Sequence, residues 1–436
     1  MTITPKKQKN ILDKLNIGKL NPMQVEAQTA ILTNSEIVLL SPTGTGKTLA
    51  SLLPIIKKLN VDSTEIQVLI LVPSRELAIQ IEQVIREMGT GYKTNALYGG
   101  RAGSKDKIDL KHRPAILIGT PGRIADHMRR QSFSLAEIKT LVLDEFDKSL
   151  EIGFEKEMTQ ILQALPELKK KILTSASNKA EIPEFVGLHE PVYIDYLNIG
   201  TSQLKVKTII SPSKDKLKTL VDTLCHIGNQ PGIIFCNFKD TIQYVSDFLT
   251  ENSIDHGCFY GGMEQKDREL ALIKFRNGTH QLLIATDLAA RGIDVPEMKF
   301  IIHYQVPQKA HEFMHRNGRT ARMNSDGTAY ILKWENENLP EYITESEVVE
   351  IQRAPKPASS KWKTIYITGG RRDKISKGDI AGLFLKQGKL TQDELGNIEL
   401  KQECAYVSVP ASKAKQLIEE LNNSKLKTKK VRISEI

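Results

Sequence analysis

The segment SPTGTGKT (41–48) combines glycine, lysine and threonine in a spacing suited to binding phosphates. It follows the apolar run EIVLL (36–40) and precedes the apolar run LASLLPIIKKL (49–59), which predicts a strand, a loop and a helix in that order. Ser41 stands where the strict GxxxxGK[ST] pattern has its first glycine. A simple glycine-bearing turn is the alternative, which the GKT triplet in this context disfavours.

Each residue type in this loop has a physical role toward a nucleotide. Gly44 and Gly46 let backbone N–H groups turn toward phosphate oxygens. Lys47 supplies a positive charge for the β- and γ-phosphates, and the Thr48 hydroxyl can ligate Mg²⁺. The predicted nucleotide-binding loop therefore consists of Thr43, Gly44, Thr45, Gly46, Lys47 and Thr48.

A second motif, DEFD (144–147), ends the apolar run TLVL and places carboxylates at the end of a predicted strand. Asp144 could hold Mg²⁺ through its water shell, and Glu145 could polarise the attacking water. Alone, such a pair is more typical of a helix N-cap or a turn. Together with Lys47 in the same block, it predicts hydrolysis of a nucleoside triphosphate.

Three arginines, Arg316, Arg319 and Arg322, lie in HRNGRTAR (315–322). Arg319 and Arg322 are three residues apart and are expected to share one helix face. Guanidinium groups that reach a γ-phosphate from a second domain stabilise the charge of the transition state. The alternative is an ordinary solvated basic helix.

Short β-branched apolar runs alternate with helix-like segments along most of the chain, and several end in Gly, Pro, Ser, Asp or Thr. This alternation is typical of parallel sheets covered on both faces, whose ligands bind beyond the carboxyl ends of the strands. We predict an α/β domain over 1–204 and a second over 205–345. A Pro- and Ser-rich linker over 346–361 then leads to a small ferredoxin-like α+β domain over 362–436, expected as strand, helix, strand, helix, strand.

Composition limits the classes of protein that fit. A length of 436 residues predicts two or three domains, and no apolar run approaches the roughly 20 residues of a membrane helix. Four scattered cysteines without a CxxC pair argue against a disulfide framework or a zinc site, and no export signal is evident, so we expect a cytoplasmic protein.

The positive charge is concentrated at the C-terminal end. Residues 351–436 hold 18 Lys and Arg against 9 Asp and Glu, and this difference equals the whole net charge of +9. This basic block predicts a tether to a polyanion, with a solvated lysine-rich tail as the alternative.

Over about residues 10–340 the ordered motifs resemble those of the DEAD-box RNA helicases of superfamily 2. The matching motifs are NPMQ (21–24), SPTGTGKT, PSRELA (73–78), the glycine pair at 99–100, TPGR (120–123), DEFD, SAS (175–177), IIFCN (233–237), QKDR (265–268), TDLAARGID (286–294) and HRNGRTAR.

The resemblance implies two RecA-like domains with ATP and RNA bound across their cleft. By motif, it implies that Gln24 reads adenine and that Asp294 meets the nucleotide in the closed state. It implies that Ser175 and Ser177 couple hydrolysis to strand separation. The RNA-backbone contacts that it implies are Arg75, Gly100, Thr120, Arg123, Gln265, Arg268 and Thr286.

The chain departs from the family pattern in three places. Phe146 replaces the alanine of DEAD, and the third motif reads SAS, which keeps a hydroxyl at each end. The family usually has an aromatic residue upstream of the adenine-reading glutamine, whereas here no Phe, Tyr or Trp precedes Tyr92. Ile17 can supply only apolar contact, so a weakened preference for ATP over GTP is expected.

The C-terminal block contains the segments TIYITGG (364–370), KISKGDIAGL (374–383), LGNIEL (395–400) and KLKTKKVRI (425–433). On these segments, the block from about 362 to 436 resembles the RNA-binding domain of the bacterial DbpA helicases, an RRM variant. Such a domain stacks bases on aromatic residues of its two central strands. Tyr366 and Tyr406 occupy two of the stacking positions and Cys404 the third, although both tyrosines could be ordinary strand residues. The basic residues available to grip phosphates are Arg371, Arg372, Lys374, Lys377, Lys425, Lys427, Lys429 and Lys430.

The sequence therefore predicts a monomeric, RNA-stimulated ATPase that uses ATP and Mg²⁺ and locally unwinds structured RNA. The DbpA-type resemblance implies 23S ribosomal RNA, in large-subunit assembly, as the target. Two alternatives stay open at this point: an ATP-gated RNA clamp that remodels no duplex, and a DNA helicase.

Overall fold

The fold is that of a computed structural model, which describes residues 5–100, 103–176, 181–197, 204–287, 298–320 and 326–436. The chain forms two compact units. Among the described residues, the first unit contains those up to Leu197 and the second those from Leu204 onward.

The first unit contains a seven-stranded parallel sheet. Its strands are β1 (Glu36–Leu40), β2 (Val68–Leu71), β3 (Thr94–Leu97), β4 (Ile116–Gly119), β5 (Thr140–Leu143), β6 (Lys170–Ser175) and β7 (Val192–Asp195). They lie in the order β3-β4-β2-β5-β6-β1-β7. Its helices are α1 (Pro5–Lys14), α2 (Pro22–Thr33), α3 (Lys47–Lys58), α4 (Arg75–Met88), α5 (Gly103–Lys111), α6 (Pro121–Arg129), α7 (Phe146–Glu151) and α8 (Glu155–Gln163), with a 3-10 turn at Glu184–Val186.

The apolar runs become central strands because both of their faces are covered. In β1, Ile37 and Leu39 pack into one core, whereas Val38 and Leu40 pack into a second core on the opposite face. Successive strand residues point to opposite sides of a sheet, so a continuous apolar run fits only a strand that is buried on both faces. Because β5, β6 and β1 are parallel neighbours, the polar residues at their carboxyl ends meet at one edge of the sheet.

The second unit begins with another seven-stranded parallel sheet. Its strands are β8 (Leu204–Ser211), β9 (Gly232–Phe235), β10 (Gly257–Phe259), β11 (Leu282–Ala285), β12 (Phe300–His303), β13 (Gly327–Trp334) and β14 (Glu347–Val348), in the order β10-β11-β9-β12-β13-β8-β14. The helices described around it are α9 (Leu217–Ile227), α10 (Lys239–Glu251), α11 (Gln265–Arg276) and α12 (Ala310–Asn317).

The rest of the second unit is a small α+β domain. Its strands are β15 (Trp362–Thr368), β16 (Ile398–Leu400), β17 (Cys404–Pro410), β18 (Lys425–Leu426), β19 (Lys429–Lys430) and β20 (Ile433–Glu435), and its helices are α13 (Lys377–Gly382), which continues as a π-helical turn (Leu383–Gln387), and α14 (Ala411–Leu421). Short 3-10 turns lie at Arg371–Asp373 and Gln392–Glu394. An antiparallel sheet has the order β16-β17-β15-β20, and β18 pairs with β19. The short strand β16 is absent from the predicted series of elements.

The Pro- and Ser-rich segment before this domain lies against the second parallel sheet. Ile351 and Ala354 pack on that sheet's core, and the Lys356 ammonium donates to the Asn252 carbonyl at 3.0 Å.

The predicted fold class, two tandem parallel-sheet domains followed by a small α+β domain, is confirmed. None of the helices in the described ranges is long and apolar enough to cross a membrane.

Candidate nucleotide and RNA sites

The phosphate-binding loop connects β1 to α3 and depends on glycine. Gly44 and Gly46 have φ values of 85° and 86°, in the left-handed region that favours glycine. A Cβ atom on Gly46 would lie 2.3 Å from the side-chain amide nitrogen of Gln24. Any other residue at position 46 would therefore push the adenine-reading candidate away from the loop.

The Lys47 ammonium is held inside the loop. It donates to the backbone carbonyls of Ser41 at 2.5 Å and of Pro42 at 3.0 Å. The Ser41 hydroxyl donates to the Thr45 hydroxyl at 2.8 Å, which in turn donates to the Pro42 carbonyl at 2.8 Å. The serine that replaces the pattern's first glycine thus braces the loop.

Gln24 is buried at the start of α2 and contacts the phosphate loop. Its side-chain nitrogen donates to the Gly46 carbonyl at 3.3 Å, and its oxygen accepts the Asn21 backbone N–H at 3.0 Å. The Asn21 side chain caps α2 and also donates to the Thr45 carbonyl at 3.0 Å. Asn21 therefore joins the helix to the loop, a role that the sequence analysis missed although the N-cap position before Pro22 could have indicated it. Ile17 packs against the core of this unit.

The acidic candidate Asp144 follows β5 and faces the loop. The Thr48 hydroxyl donates to one carboxylate oxygen of Asp144 at 3.2 Å, and the Thr174 hydroxyl donates to the other. Burial raises the pKa of Asp144, while the Thr174 hydrogen bond and the charge of Lys47 act in the opposite direction. Two hard oxygen donors, the Thr48 hydroxyl and the Asp144 carboxylate, therefore lie side by side, which is the ligand chemistry that Mg²⁺ prefers.

Glu145 has a left-handed backbone, with φ 51° and ψ 50°, at the start of α7. Its backbone N–H donates to the Thr174 hydroxyl at 3.1 Å. Thr174 was not predicted as a site residue. Its position beside Asp144 depends on the pairing of β5 with β6, which no local pattern reveals.

Phe146, the departure from the DEAD motif, is only 2% exposed and packs in the core under one face of the first sheet. Its bulk therefore has a place in the fold. Asp147 is buried next to it. Ser175 is buried at the end of β6, and its carbonyl accepts the Ser41 N–H at 3.0 Å, which ties the SAS motif to the phosphate loop. Ser177 lies outside the described residues.

Two arginine candidates for RNA contact in the first unit lie against neighbouring residues. The Arg75 guanidinium lies so close over Gly100 that a Cβ atom there would be 2.5 Å from it. Arg123 donates twice to a buried Asp106 carboxylate oxygen, at 3.0 and 2.5 Å, and the same oxygen contacts His127 at 3.0 Å. Sequence analysis missed Asp106 and His127.

Thr120 is the N-cap residue of α6 and is buried. It immediately precedes the helix that carries Arg123. The TPGR motif therefore forms the cap and first turn of α6.

The three residues of the second parallel-sheet domain that were predicted to contact RNA lie near the edge formed by β10. Gln265 begins α11 and donates to Glu269 at 3.3 Å. The Arg268 guanidinium lies 5.0 Å from the centre of the Phe259 ring, and the Thr286 N–H donates to the Phe259 carbonyl at 3.4 Å. Arg268 and Thr286 are thus both placed by Phe259.

The arginine segment differs from the sequence-based expectation. Arg316, only 1% exposed, donates to both carboxylate oxygens of Asp287 and to Asn237 at 2.7 Å, so it is a buried structural residue. Helix α12 ends at Asn317, and Arg319 lies beyond it. The prediction that Arg319 shares a helix face with Arg322 is therefore wrong, because Gly318 ends the helix first. Arg322 and Asp294 lie outside the described residues.

Tyr366 and Tyr406 are neighbours on the outer face of the C-terminal sheet. They are directly opposite each other in β15 and β17, and their ring centres are 5.5 Å apart. Ile365 and Val407, which point the other way, form that domain's core. Burial raises the pKa of both tyrosine hydroxyls, with Cys404 beside them.

Several basic residues of this domain already contact carboxylates. Lys427 pairs with Asp379 at 3.0 Å, and Lys429 pairs with Asp373 at 2.8 Å. Arg372 pairs with Glu403. These pairs leave the net charge of the block unchanged, but their basic side chains would have to exchange a carboxylate for a phosphate on binding RNA.

The C-terminal domain is docked on the end of α11 by a buried ion pair. Arg276 donates to the two oxygens of Glu399 at 2.6 and 2.8 Å. Burial raises the pKa of Glu399, but the hydrogen bond and charge of Arg276 outweigh it and hold that pKa below its ordinary value.

Polar contacts on the outer sheet face complete this interface. The Thr364 hydroxyl is 2.6 Å from that of Thr279, and the Ser408 hydroxyl donates to the Asn277 carbonyl at 2.7 Å. Thr364 lies on the same face of β15 as Tyr366, two residues along. The segment after α11 therefore covers the part of that face around Thr364 and Ser408, and the two tyrosines lie beside the covered part.

Comparisons with known proteins agree with this division. Residues 21–185 match the DEAD/DEAH box helicase domain, 215–324 the helicase conserved C-terminal domain, and 364–435 the DbpA RNA binding domain. The DEAD-box ATP-dependent RNA helicase CshB of Bacillus subtilis is 33% identical over 331 residues, which cover 73% of this chain and 76% of that protein. The chain belongs to the DEAD-box RNA helicases.

Other members of this helicase family are similar along more of the chain. The ATP-dependent RNA helicase DbpA of Bacillus subtilis is 29% identical over 457 residues, covering 96% of this chain and 95% of that protein. The solved structure of Mss116p bound to ssRNA and AMP-PNP is 25% identical, with a TM-score of 0.69 over 80% of this chain and 78% of that one. The chain is thus an ATP-dependent, RNA-stimulated helicase with a DbpA-type RNA-binding domain.

Proposed function

We propose that this DEAD-box helicase couples ATP hydrolysis to the local unwinding or remodelling of structured RNA. The observation that carries the proposal is the arrangement of Lys47, Thr48, Asp144 and Glu145 around one loop, in a chain that also has a DbpA-type RNA-binding domain. The intact acidic pair argues against a scaffold that has lost hydrolysis, and unwinding itself is tested by experiment.

In this proposal, the loop residues Thr43 to Thr48 cradle the phosphates, and Gln24 recognises adenine. Lys47 leaves the carbonyls of Ser41 and Pro42 to meet the β- and γ-phosphates, because a phosphate offers it full negative charge. Glu145 accepts a proton from the attacking water.

Mg²⁺ fits the paired oxygen donors of Thr48 and Asp144, which lie 3.2 Å apart. When bound there, the ion would neutralise charge on the phosphate oxygens. Arg319, Arg322 and Asp294, which belong to the second predicted α/β domain, are proposed to meet the nucleotide in the closed state, and Ser175 with Ser177 to couple hydrolysis to strand separation.

RNA is proposed to lie along the backbone-contacting residues of both parallel-sheet domains, with bases stacked on Tyr366 and Tyr406. The residues of the first group are Arg75, Gly100, Thr120, Arg123, Gln265, Arg268 and Thr286. The match to a DbpA-type domain supports 23S ribosomal RNA as the target, in large-subunit assembly. We further propose that the protein acts as a monomer in the cytoplasm.

The experiment is to measure ATP turnover with RNA and with DNA of the same sequence, for the wild type and for Glu145→Gln. RNA should stimulate the wild type more than DNA does. The Glu145→Gln variant should bind ATP and RNA but lose turnover, since an amide cannot accept the proton. Glu155→Gln, an exposed change in α8, is the matched control and should behave as wild type. Equal stimulation by DNA, or normal turnover in Glu145→Gln, would contradict the proposal.

A further inference from the structure

Thr174 is a polar residue in the middle of the first unit's core. It lies in β6, directly beside Leu39 of β1, and the neighbouring residues Ile172 and Leu173 are fully buried. Its own exposure is 0%. A valine has the same shape and would suit an apolar strand, whereas a buried hydroxyl is unfavourable unless it is hydrogen-bonded. The partners of this hydroxyl therefore indicate what it does.

Both partners belong to the acidic pair. The register of β5 with β6 places Leu143 beside Leu173, so the next residues along, Asp144 and Thr174, come together. The Thr174 oxygen accepts the Glu145 backbone N–H at 3.1 Å, and its own proton goes to the Asp144 carboxylate. A hydroxyl has a single proton, so the two bonds form one directed chain from Glu145 through Thr174 to Asp144.

The chain of hydrogen bonds fixes two features that hydrolysis requires. With Thr48 on the other oxygen, Thr174 leaves the Asp144 carboxylate little freedom to rotate. The second bond holds Glu145 in its left-handed backbone conformation, which is uncommon for a residue with a side chain. That conformation sets the direction in which the Glu145 side chain leaves the backbone.

We propose that Thr174 is a positioning residue for ATP hydrolysis: its hydroxyl orients Asp144 toward Mg²⁺ and Glu145 toward the attacking water. The inference rests on the proposed function and adds to it a residue outside the SAS motif. It also predicts an asymmetry. Nucleotide binding without Mg²⁺ depends on the loop and on Lys47, so loss of the hydroxyl should affect only the Mg²⁺-dependent part.

The test compares Thr174→Val, which keeps the shape and removes the hydroxyl, with Thr174→Ser, which keeps the hydroxyl. The matched control is Thr94→Val in β3 of the same sheet, where a buried threonine hydroxyl donates to the Ile116 carbonyl at 3.2 Å, in a strand away from the phosphate loop. Binding of a fluorescent non-hydrolysable ATP analogue is measured with Mg²⁺ and with EDTA. The kcat and KM for ATP are measured with saturating RNA.

Thr174→Val should lose about 10- to 100-fold of the affinity gained from Mg²⁺ and about as much in kcat, which is the range expected for one hydrogen bond to a charged group. Its affinity in EDTA should be unchanged. Thr174→Ser should stay within about threefold of wild type, and Thr94→Val should match wild type.

Two results would overturn the inference. In the first, Thr174→Val equals Thr174→Ser in both measurements. In the second, Thr174→Val loses the same factor with and without Mg²⁺, as general loosening of the fold would produce. If the wild type itself shows no RNA-stimulated hydrolysis, the proposed function fails, while the binding comparison still decides the role of Thr174.

Discussion

Replacing Phe146 by alanine would restore the sequence DEAD in this motif, yet it should lower the stability of the first unit. The Phe146 ring is 2% exposed and packs among the apolar residues under the first sheet. Truncating a buried phenylalanine to alanine typically costs about 3–5 kcal/mol, because transfer energy is lost and a cavity remains. The acidic pair is held by Thr48 and Thr174 rather than by the ring. Turnover at low temperature should therefore stay within a few-fold of wild type.

The assay must report on the first unit alone. Both tryptophans, Trp334 and Trp362, lie in the second unit, so their emission during urea unfolding serves as an internal control that should not change. Hydrogen exchange of the amides in β5 and β6 reports on the first unit. A loss of 3–5 kcal/mol corresponds to exchange that is faster by roughly two to three and a half orders of magnitude.

A surface truncation in the same unit is the matched control. Tyr193→Ala removes a ring that is 57% exposed, and it should change stability by no more than about 0.5 kcal/mol. The reasoning would be refuted if Phe146→Ala exchanged as slowly as Tyr193→Ala, because Phe146 would then not support the core.

Three further predictions concern RNA and pH. Arg276 depresses the folded-state pKa of Glu399, so their ion pair should stabilise docking of the C-terminal domain fully above the ordinary carboxyl pKa of 4.5. That contribution should be lost as pH falls through the depressed value. Amide protection at the Arg276–Glu399 interface, measured over an acid series, should fall accordingly, and unchanged protection would contradict it. Tyr366→Ala should lower RNA affinity by about 1–3 kcal/mol without changing the salt dependence, because stacking involves no counterion release; a salt series of RNA titrations measures both quantities. Asp106→Asn should raise the RNA concentration for half-maximal ATPase several-fold at unchanged kcat, because the Arg123 guanidinium loses the carboxylate that orients it. An unchanged RNA titration would contradict that role.

The sequence was sufficient for the features that depend on local pattern. The strand–loop–helix setting of Lys47, the strand end at Asp144 and the apolar runs of both parallel sheets are all encoded by neighbouring residues. The opposing pair Tyr366 and Tyr406 was also accessible, since each tyrosine is recognisable within its own strand.

The remaining features depend on contacts between distant parts of the chain. Thr174 meets Asp144 through the register of two strands, and Asp106 meets Arg123 across two helices. The docking of Glu399 on Arg276 joins residues 123 positions apart. In contrast, the end of α12 before Arg319 had a local signal, Gly318, which the helical interpretation of that segment overlooked.

The most direct test of the account is strand separation of a short RNA duplex with a single-stranded extension, with ATP, by the wild type and by Glu145→Gln. We predict that the wild type separates the strands through repeated cycles, whereas Glu145→Gln binds the RNA and ATP and remains bound without turnover. Failure of the wild type to separate the duplex, or cycling by Glu145→Gln at the wild-type rate, would contradict the claim that Glu145 drives an RNA-unwinding ATPase.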